Sequence, residues 1–456
     1  MRPVTGPGRR GVLGGLLALA APVRAARRTD WHPLAADVRA EMAWAWDQYR
    51  ARAWGKDEIK PVSGGSSTFP LKGQHLGLTL IEALDTLWVM GLDDRFADGV
   101  AWVRDHADFA LDGEVSVFET SIRLVGGLLS AHHACGDPML LARARDLADR
   151  LLPAFATPTG MPYRFVNLLT GAVRDPATNP AEVGTFLPEW GTLSRLTGDP
   201  RYHDAAMKAV RACYARRSRL DLLAVKIDCR TGEWLDRRAT IGSYADSFYE
   251  YLWDGWQLYG DRECKAMFDT CIAAILRHQR DRRDGRLWFA DVDFETGAIL
   301  NTRQDELASF FGGLLAQGGH ARDGIAYTDS WAAVQARYGV LPEEWDYAAA
   351  APTQLGNALR PELADAAFTL WLLDRDERWR HLAADHFRAM RRWHRAAYGY
   401  TDLADVTTKR QADHCPGYWW SEQMKYYWLI FSDTPRFDYR RNYLSTEGNV
   451  LLGLVR

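Results

Sequence analysis

The sequence repeats one unit, in which a helix, a tight acidic turn and a second helix follow one another. Turns of this kind lie near residues 91–96, 135–140, 197–202, 259–264, 320–325, 373–379 and 431–437. In the central part of the chain Asp137, Asp199, Asp261 and Asp323 are each 62 residues apart. This spacing accommodates two helices and two connections, and a fixed period of this length indicates a repeat architecture.

The two helices of each unit differ in polarity. The helix before each turn is largely apolar, and the helix after it, except after the last turn, carries a charged stripe. An apolar helix is buried and a striped helix faces water, so the first is an inner and the second an outer helix. Six complete pairs span about residues 78–396, and 419–431 is a seventh inner helix whose outer partner is the N-terminal helix 34–53. The sequence therefore predicts an all-α fold, an (α/α)7 barrel.

Short β-hairpins are expected between the helical pairs. The segments 222–238 and 286–300 alternate in polarity and contain Thr-Gly turns, which is typical of hairpins. The C-terminal segment 441–456 has a similar pattern.

The N-terminus predicts an export signal over residues 1–25. Arg9 and Arg10 precede an apolar run at 12–23 and a small-residue cleavage site before Ala26. The adjacent arginines suggest the twin-arginine route, but the general secretory route stays open. We expect residues 26–456 to form a single domain, exported to a periplasm or secreted, without a membrane span and monomeric. The formal net charge of -3 excludes the basic footprint of a nucleic-acid binder.

Six carboxylates lie at or near the starts of successive inner helices and should converge at one end of the barrel. They are Glu119, Glu182, Asp246, Asp305, Glu362 and Glu422. One such residue is explained by the helix dipole, which favours acidic groups in the first turn. Six in one cavity would raise the pKa of some members and require compensation, for which Arg123, Arg360 and a hard cation such as calcium are suited. Paired carboxylates without zinc, nucleotide or triad motifs point to glycoside hydrolysis.

Motifs through nearly the whole chain after the export signal resemble glycoside hydrolase family 47, the class I α-1,2-mannosidases. They are RARAWGKDEIKP, LIEALDTLWVMGL, VFETSIRLVGGLLSAH, LLPAFATPTGMPYRFVNLLTG, ADSFYEYLWDGW, LRPELADAAFTLW, EQMKYYWLIFSD and STEG. Eight motifs in the family order make the resemblance specific. We expect a bacterial member of this family.

The resemblance implies an inverting, exo-acting enzyme that removes terminal α-1,2-linked mannose from an oligosaccharide with the help of Ca²⁺. Glu119 matches the family's proposed general acid, Glu362 its general base and Asp246 its third essential carboxylate. Whether Glu119 or Asp246 donates the proton stays open. Inversion requires the acid and base to be roughly 6.5–9.5 Å apart, with a water between base and sugar.

The remaining implied residues surround the sugar. Thr446 matches the direct calcium ligand, on a C-terminal hairpin that would plug the barrel from below. The expected substrate-binding residues are Arg123, Arg360, Glu422, Glu447, Tyr418 and Asp305. Glu82 and Asp85 lie in the middle of an inner helix, and we expect structural roles for them.

Some positions depart from the family pattern. Glu306 replaces a histidine in DELASF, TEGNV alters the motif around Thr446, and Tyr418 stands where a phenylalanine is usual. Tyr244 lies at a position that varies with branch preference, so the natural glycan stays undefined. Two alternatives remain: a glycosidase or lyase of another (α/α)-barrel class, against which the seventh inner helix argues, and a non-catalytic mannose-glycan-binding relative.

Overall fold

A computed structural model describes residues 29–434, 436–438 and 440–452. The predicted export segment 1–25 lies outside these residues. The described chain contains seven inner and seven outer helices, so the prediction of an (α/α)7 barrel is confirmed. Among the described residues, no helix has the length and apolar character needed to cross a bilayer.

The inner helices include short 3₁₀ and π-helical stretches. Their bounds are Leu78–Val89; Val117–Glu119 with Thr120–Val125 and Gly126–Cys135; Pro180–Gly184 with Leu187–Thr197; Asp246–Tyr259; Glu306–Phe310 with Phe311–Gln317; Glu362–Asp374; and Trp419–Gln423 with Met424–Phe431. The outer helices are His32–Arg52, Asp93–His106, Pro138–Leu151, Arg201–Tyr214, Arg262–His278, Ala321–Tyr338 and Glu377–Trp393. A short 3₁₀ helix, Leu152–Phe155, extends the third of these.

The N-terminal helix closes the ring against the last inner helix, as predicted. Trp31 stacks on Phe431 with ring centroids 5.5 Å apart, and Trp46 meets Trp420 edge-on at 6.1 Å. Aromatic contacts of this kind stabilise the folded state by more than the burial of their surface area accounts for. The first and last helices of the barrel are therefore joined through a packed aromatic core.

The repeated Gly-Asp turn is a double helix cap. Gly136, Gly198 and Gly260 end inner helices in the left-handed conformation, with φ between 68° and 72°. The next residue, Asp137 or Asp261, accepts backbone N–H groups at the start of the outer helix. Glycine at this position and aspartate at the N-cap are the residues that helix termination and initiation favour. Helix capping thus explains the Gly-Asp turns at 136–137 and 260–261, whereas Asp323 lies within the first turn of its outer helix.

In the described part of the chain the strands form nine small antiparallel sheets. They are Glu58–Ile59 with Ser66–Ser67; Glu114–Ser116, Phe165–Asn167 and Val173–Arg174; Ala177–Thr178 with Ile227–Asp228; Arg238–Ala239, Asp291–Asp293 and Ile299–Asn301; Arg280–Arg283 with Arg286–Phe289; Arg303–Asp305, Glu344–Asp346 and Ala351–Gln354; Arg395–Ala396 with Gly399–Tyr400; Leu403–Asp405 with Arg410–Gln411; and Asn442–Leu444 with Val450–Leu452. Most of these sheets contain a strand that precedes an inner helix in the chain. The hairpin predicted at 286–300 is shifted, because Asp291–Asp293 pairs with Ile299–Asn301 while Arg286–Phe289 pairs with Arg280–Arg283. In the segment 222–238, Ile227–Asp228 pairs with Ala177–Thr178, and Ile227 forms one bridge with Trp234.

The C-terminal hairpin enters the barrel from the end where the inner helices terminate. Asn442 contacts His133 near the end of one inner helix, while Asn449, beyond the turn, donates to the carbonyl of Ile122 in the core. Thr446 and Glu447 lie in the turn between the strands. The hairpin therefore forms the floor of whatever cavity the barrel encloses.

A buried ion pair anchors this hairpin. The ammonium of Lys425 lies 2.6 Å from a carboxylate oxygen of Asp85, and both side chains are at most 1% exposed. Asp85 also accepts from Ser130 Oγ at 2.5 Å and from the backbone N–H of Val450 at 2.9 Å, and Lys425 donates to the carbonyl of Gly448. Asp85 thus has the structural role expected of it.

We predict that Lys425→Met destabilises the protein far more than removal of a surface lysine. Loss of the lysine leaves the charge of Asp85 buried and uncompensated, which costs about 3–5 kcal/mol of unfolding free energy. The control is Lys265→Met, which breaks the exposed pair with Asp269 and should cost less than about 1 kcal/mol. Denaturant unfolding measures both, and equal losses would contradict the anchoring role.

Candidate active site

The barrel encloses a cavity of about 350 Å³ at the end where the inner helices begin. The volume is within the range of small-molecule sites, about 300–1,000 Å³. Its walls come from six of the inner helices, and its floor includes Thr446 and Glu447 of the C-terminal hairpin. A pocket with such a floor can receive the end of a ligand that enters from the opposite side.

Five of the six predicted carboxylates line this cavity. They are Glu119, Glu182, Asp246, Glu362 and Glu422. Asp305 is the exception, and its expected convergence with the others is corrected here. Its carboxylate accepts the backbone N–H groups of Ser243 at 3.0 Å and Ala308 at 3.2 Å, so it caps a 3₁₀ helix and lines a neighbouring polar groove.

Arg123 lies at the centre of an acidic cluster beneath the cavity mouth. Its Nε donates to Glu119 at 2.7 Å, and its Nη1 donates to Glu82 and to Glu447, each at 3.1 Å. Burial opposes the charge on Arg123, but Glu447, Glu119 and Glu82 outweigh it and raise the pKa of the guanidinium. One cation is thus shared by three carboxylates.

Glu82 is a buried member of the cluster around Arg123. It is 1% exposed, and one of its oxygens has no hydrogen-bond partner. Burial raises the pKa of Glu82 well above its ordinary value, and the nearby Glu447 and Glu119 add to this rise. Glu82 therefore belongs to the charge network of the cavity, which its mid-helix position did not indicate.

Asp246 and Glu362 begin two inner helices and enter the same cavity. Removal from water raises the pKa of Asp246 to about 7, with a further contribution from Asp305. Removal from water also raises the pKa of Glu362 to about 8, and the nearby Glu343 and Asp246 contribute. Glu362 Oε2 is buried without a hydrogen-bond partner. Carboxyl groups whose pKa lies near neutrality can exchange protons in acid–base catalysis.

Two inner helices become π-helical beside the cavity. Thr120–Val125 contains Arg123, and Trp419–Gln423 contains Glu422. Short π-helical segments within α-helices occur frequently at functional sites because they redirect side chains. The sequence contains no simple signal for either segment.

The floor of the cavity is rich in oxygen atoms. Thr446 lies near enough to Glu250 to lower the pKa of that carboxyl group, and Glu422 does the same to Glu447. Burial raises the pKa of Glu250 and Glu422, and neighbouring carboxylates add to it. The predicted metal ligand Thr446 therefore lies among acidic groups that repel one another.

Tyr418 and Arg360 complete the wall near Glu362. The guanidinium groups of Arg123 and Arg360 lie 5.5 and 5.7 Å from the centroid of the Tyr418 ring. Its hydroxyl donates to the carbonyl of Ala358 at 2.8 Å, and Arg360 Nε donates to Glu343 at 3.1 Å. Both predicted substrate-binding residues thus line the cavity, where they are held by other parts of the chain.

Several site residues were not predicted. Glu250 and Asp365 line the cavity one helical turn after Asp246 and nearly one after Glu362. The signal that could have identified them was their spacing of three or four residues from a predicted site residue, which places both on the same face of an inner helix. Glu343 lies in a loop outside the quoted motifs, and the sequence gave no signal that it belongs to the site.

Comparisons with known proteins identify the family of this chain. The family model for glycosyl hydrolase family 47 matches residues 41–452. Alpha-mannosidase I MNS5 of Arabidopsis thaliana is 34% identical over 440 residues, covering 90% of this chain and 76% of that protein. Human mannosyl-oligosaccharide 1,2-alpha-mannosidase IB is 34% identical over 425 residues, covering 87% of this chain and 66% of that protein.

A solved structure shows the same fold. The alpha-1,2-mannosidase from Trichoderma reesei superposes with a TM-score of 0.83 and 25% identity, covering 92% of this chain and 99% of the other. The family match spans almost all the described residues, including both helices that begin with Asp246 and Glu362. The chain therefore belongs to glycosyl hydrolase family 47.

Proposed function

We propose that this protein is a calcium-dependent, inverting exo-α-1,2-mannosidase that removes terminal mannose from oligosaccharides. The observation that carries the proposal is the convergence of Glu119, Asp246 and Glu362 in one sugar-sized cavity with Thr446 in its floor. The α-1,2-mannosidase names of the relatives support the linkage. The floor formed by the hairpin favours exo action, because only the end of a glycan chain can enter.

In the proposed reaction Glu362 is the general base. It takes a proton from a water molecule that attacks the anomeric carbon from the face opposite the glycosidic bond. Glu119 or Asp246 delivers a proton to the leaving oxygen, directly or through a water. The bond to the aglycone breaks, and β-mannose and the shortened oligosaccharide are released. Arg123, Arg360, Tyr418, Glu422 and Glu447 bind and orient the terminal sugar.

The residues at the floor fit calcium. Among the described residues no three Asp, Glu, His or Cys side chains form a compact metal centre. Calcium accepts hydroxyl, carbonyl, water and carboxylate oxygens in irregular shells, so Thr446 would bind it with waters held by Glu250, Glu422 and Glu447. Bound there, calcium supplies a positive charge and coordination positions for two sugar hydroxyls. Its charge would offset the acidic excess around it.

Other features of the proposal concern the whole protein. We propose a single catalytic domain over 26–456, export through the segment 1–25, and action as a monomer in a periplasm or outside the cell. The bacterial origin also stays a prediction, since the relatives named above are eukaryotic.

Digestion of α-1,2-mannobiose followed by proton NMR tests the reaction. We expect β-mannose as the first product, since inversion changes the configuration of the anomeric carbon. EDTA should abolish the signal and added Ca²⁺ should restore it. The α-1,3- and α-1,6-linked disaccharides are the controls. Initial α-mannose would reject inversion, and binding without turnover would favour the non-catalytic alternative.

Substitution of the three carboxylates separates base from acid. Glu362→Gln should lower kcat by at least about 10²–10⁴-fold, the usual range for loss of acid–base catalysis, with an unchanged circular dichroism spectrum. α-Mannosyl fluoride needs little protonation of its leaving group. We expect the variant that lacks the proton donor, Glu119→Gln or Asp246→Asn, to keep much of its rate on this substrate, while Glu362→Gln stays inactive. Near-normal mannobiose turnover by Glu362→Gln would remove it as the base.

The thermal shift caused by Ca²⁺ should depend on pH. The raised pKa values of about 7 for Asp246 and Asp365 and about 8 for Glu362 mean that the metal-free folded protein holds protons that the unfolded chain releases. This contribution to stability is complete below pH about 4 and is lost as the pH rises to about 8. The positive charge of a nearby Ca²⁺ favours the ionised form of these carboxyl groups, so its binding should release protons and strengthen with pH.

Scanning calorimetry with Ca²⁺ or EDTA measures this dependence. We expect the difference in Tm between the two conditions to be larger at pH 8 than at pH 5. Buried His386 and His394, whose pKa values are lowered by burial, affect both conditions alike and cancel in the difference. A difference that is equal at both pH values would contradict the proposed coupling.

A further inference from the structure

The short segment 357–361 carries Glu362 into the cavity, and its backbone has an unfavourable conformation. Leu359, three residues before Glu362, has a φ of 60° and is buried. A bulky residue adopts this left-handed conformation only where the surroundings enforce it, and such positions cluster at functional sites. The contacts that hold this segment therefore bear on the position of Glu362.

Glu343 bonds to this segment with both carboxylate oxygens. Oε1 accepts the backbone N–H of Ala358 at 2.7 Å, and Oε2 accepts Arg360 Nε at 3.1 Å. The backbone N–H of Glu343 donates to the carbonyl of Gly356 at 2.8 Å. One side chain thus connects two residues of the segment that leads to Glu362.

Other contacts fix the rest of the segment. The side chain of Asn357 donates to Glu306 at 3.0 Å and to the carbonyl of Leu341 at 2.9 Å, and its Oδ1 accepts the N–H of Leu359 at 3.1 Å. Tyr418 holds the carbonyl of Ala358. Glu343 is distinguished from these partners because its carboxylate bonds both to the backbone of Ala358 and to the guanidinium of Arg360.

We propose that Glu343 is a positioning residue for the base Glu362, acting through the backbone of Ala358 and the side chain of Arg360. This inference rests on the function proposed above. Without Glu343, the Ala358 N–H loses its acceptor and Arg360 is free to approach Glu362. Displacement of a reacting group by about 1 Å can cost about 10²-fold in rate, so the effect should fall on kcat.

The charge of Glu343 gives the role a second signature. Several charged groups face Glu362: Arg360 lowers its pKa, while Glu343 and Asp246 raise it. Glu306, Glu422, Tyr418 and Tyr426 lie near enough for Glu362 to raise their pKa values in turn. Replacement of Glu343 by a neutral residue removes one repulsive charge, so Glu362 should lose its proton at lower pH.

The test compares Glu343→Ala, Glu343→Gln and the control Glu344→Gln. Glu344 follows directly in the chain but bonds to Thr353 and pairs with Arg303, away from the segment 357–361. We expect Glu343→Ala to lower kcat about 10–100-fold with little change in KM. Glu343→Gln retains an acceptor for Ala358, so its loss should be smaller. The acid limb of its kcat/KM profile should move to lower pH, while Glu344→Gln matches the wild type.

A second substrate distinguishes positioning from contact with a neighbouring sugar. α-Mannosyl fluoride has no second sugar, so a positioning role predicts similar losses on the fluoride and on mannobiose. Loss on mannobiose alone, or a raised KM with normal kcat, would overturn the proposal. So would normal kinetics of Glu343→Ala and an unmoved acid limb. Lack of mannobiose turnover by the wild type would instead count against the proposed function. Thermal unfolding of each variant verifies that it is folded.

Discussion

The properties of the site arise because the barrel encloses many carboxylates in its core, and few positively charged side chains of the described chain lie beside them. Asp246, Glu250, Glu362, Asp365 and Glu422 face one cavity or its floor, and removal from water is the main cause of the raised pKa of each. Arg123 and Arg360 are the guanidinium groups that line the described cavity. Burial of unpaired charge is so costly that such groups take up protons instead.

The barrel provides both the crowding and its partial relief. Asp246 and Glu362 occupy the first positions of their helices, where the helix dipole favours a negative charge. Their pKa values nevertheless remain raised, so desolvation outweighs the dipole. The same architecture places Thr446 below them on a hairpin anchored by the Asp85–Lys425 pair. The acidic excess that would destabilise an ordinary core thereby becomes a site for a cation and for proton transfer.

The fold could be predicted from the sequence because its signals are local. Apolar and striped helices alternate, and acidic turns separate them, some with a glycine and an aspartate that cap the adjacent helices, so the helical pairs could be counted. Motifs identified most residues of the cavity. The acidic residues at helix starts converge because inner helices run in the same direction, which is a consequence of the repeated pairs.

The exceptions depend on contacts between distant parts of the chain. Asp305 has the expected place in sequence, but the backbone N–H groups of Ser243 and Ala308 occupy its oxygens and keep it out of the cavity. Glu82 joins the cluster because Arg123 reaches it across two helices. Glu343 acts on a segment fifteen or more residues away, through a loop geometry that no local pattern encodes.

The central claim is that the carboxylates around the cavity hold protons that a bound cation displaces. Titration calorimetry of EDTA-stripped protein with Ca²⁺ near pH 7, in buffers of different ionisation enthalpy, counts those protons. The account predicts a measured enthalpy that changes with the buffer and corresponds to the release of about one proton or more for each Ca²⁺ bound. Tight binding of Ca²⁺ with an enthalpy that is independent of the buffer would contradict it.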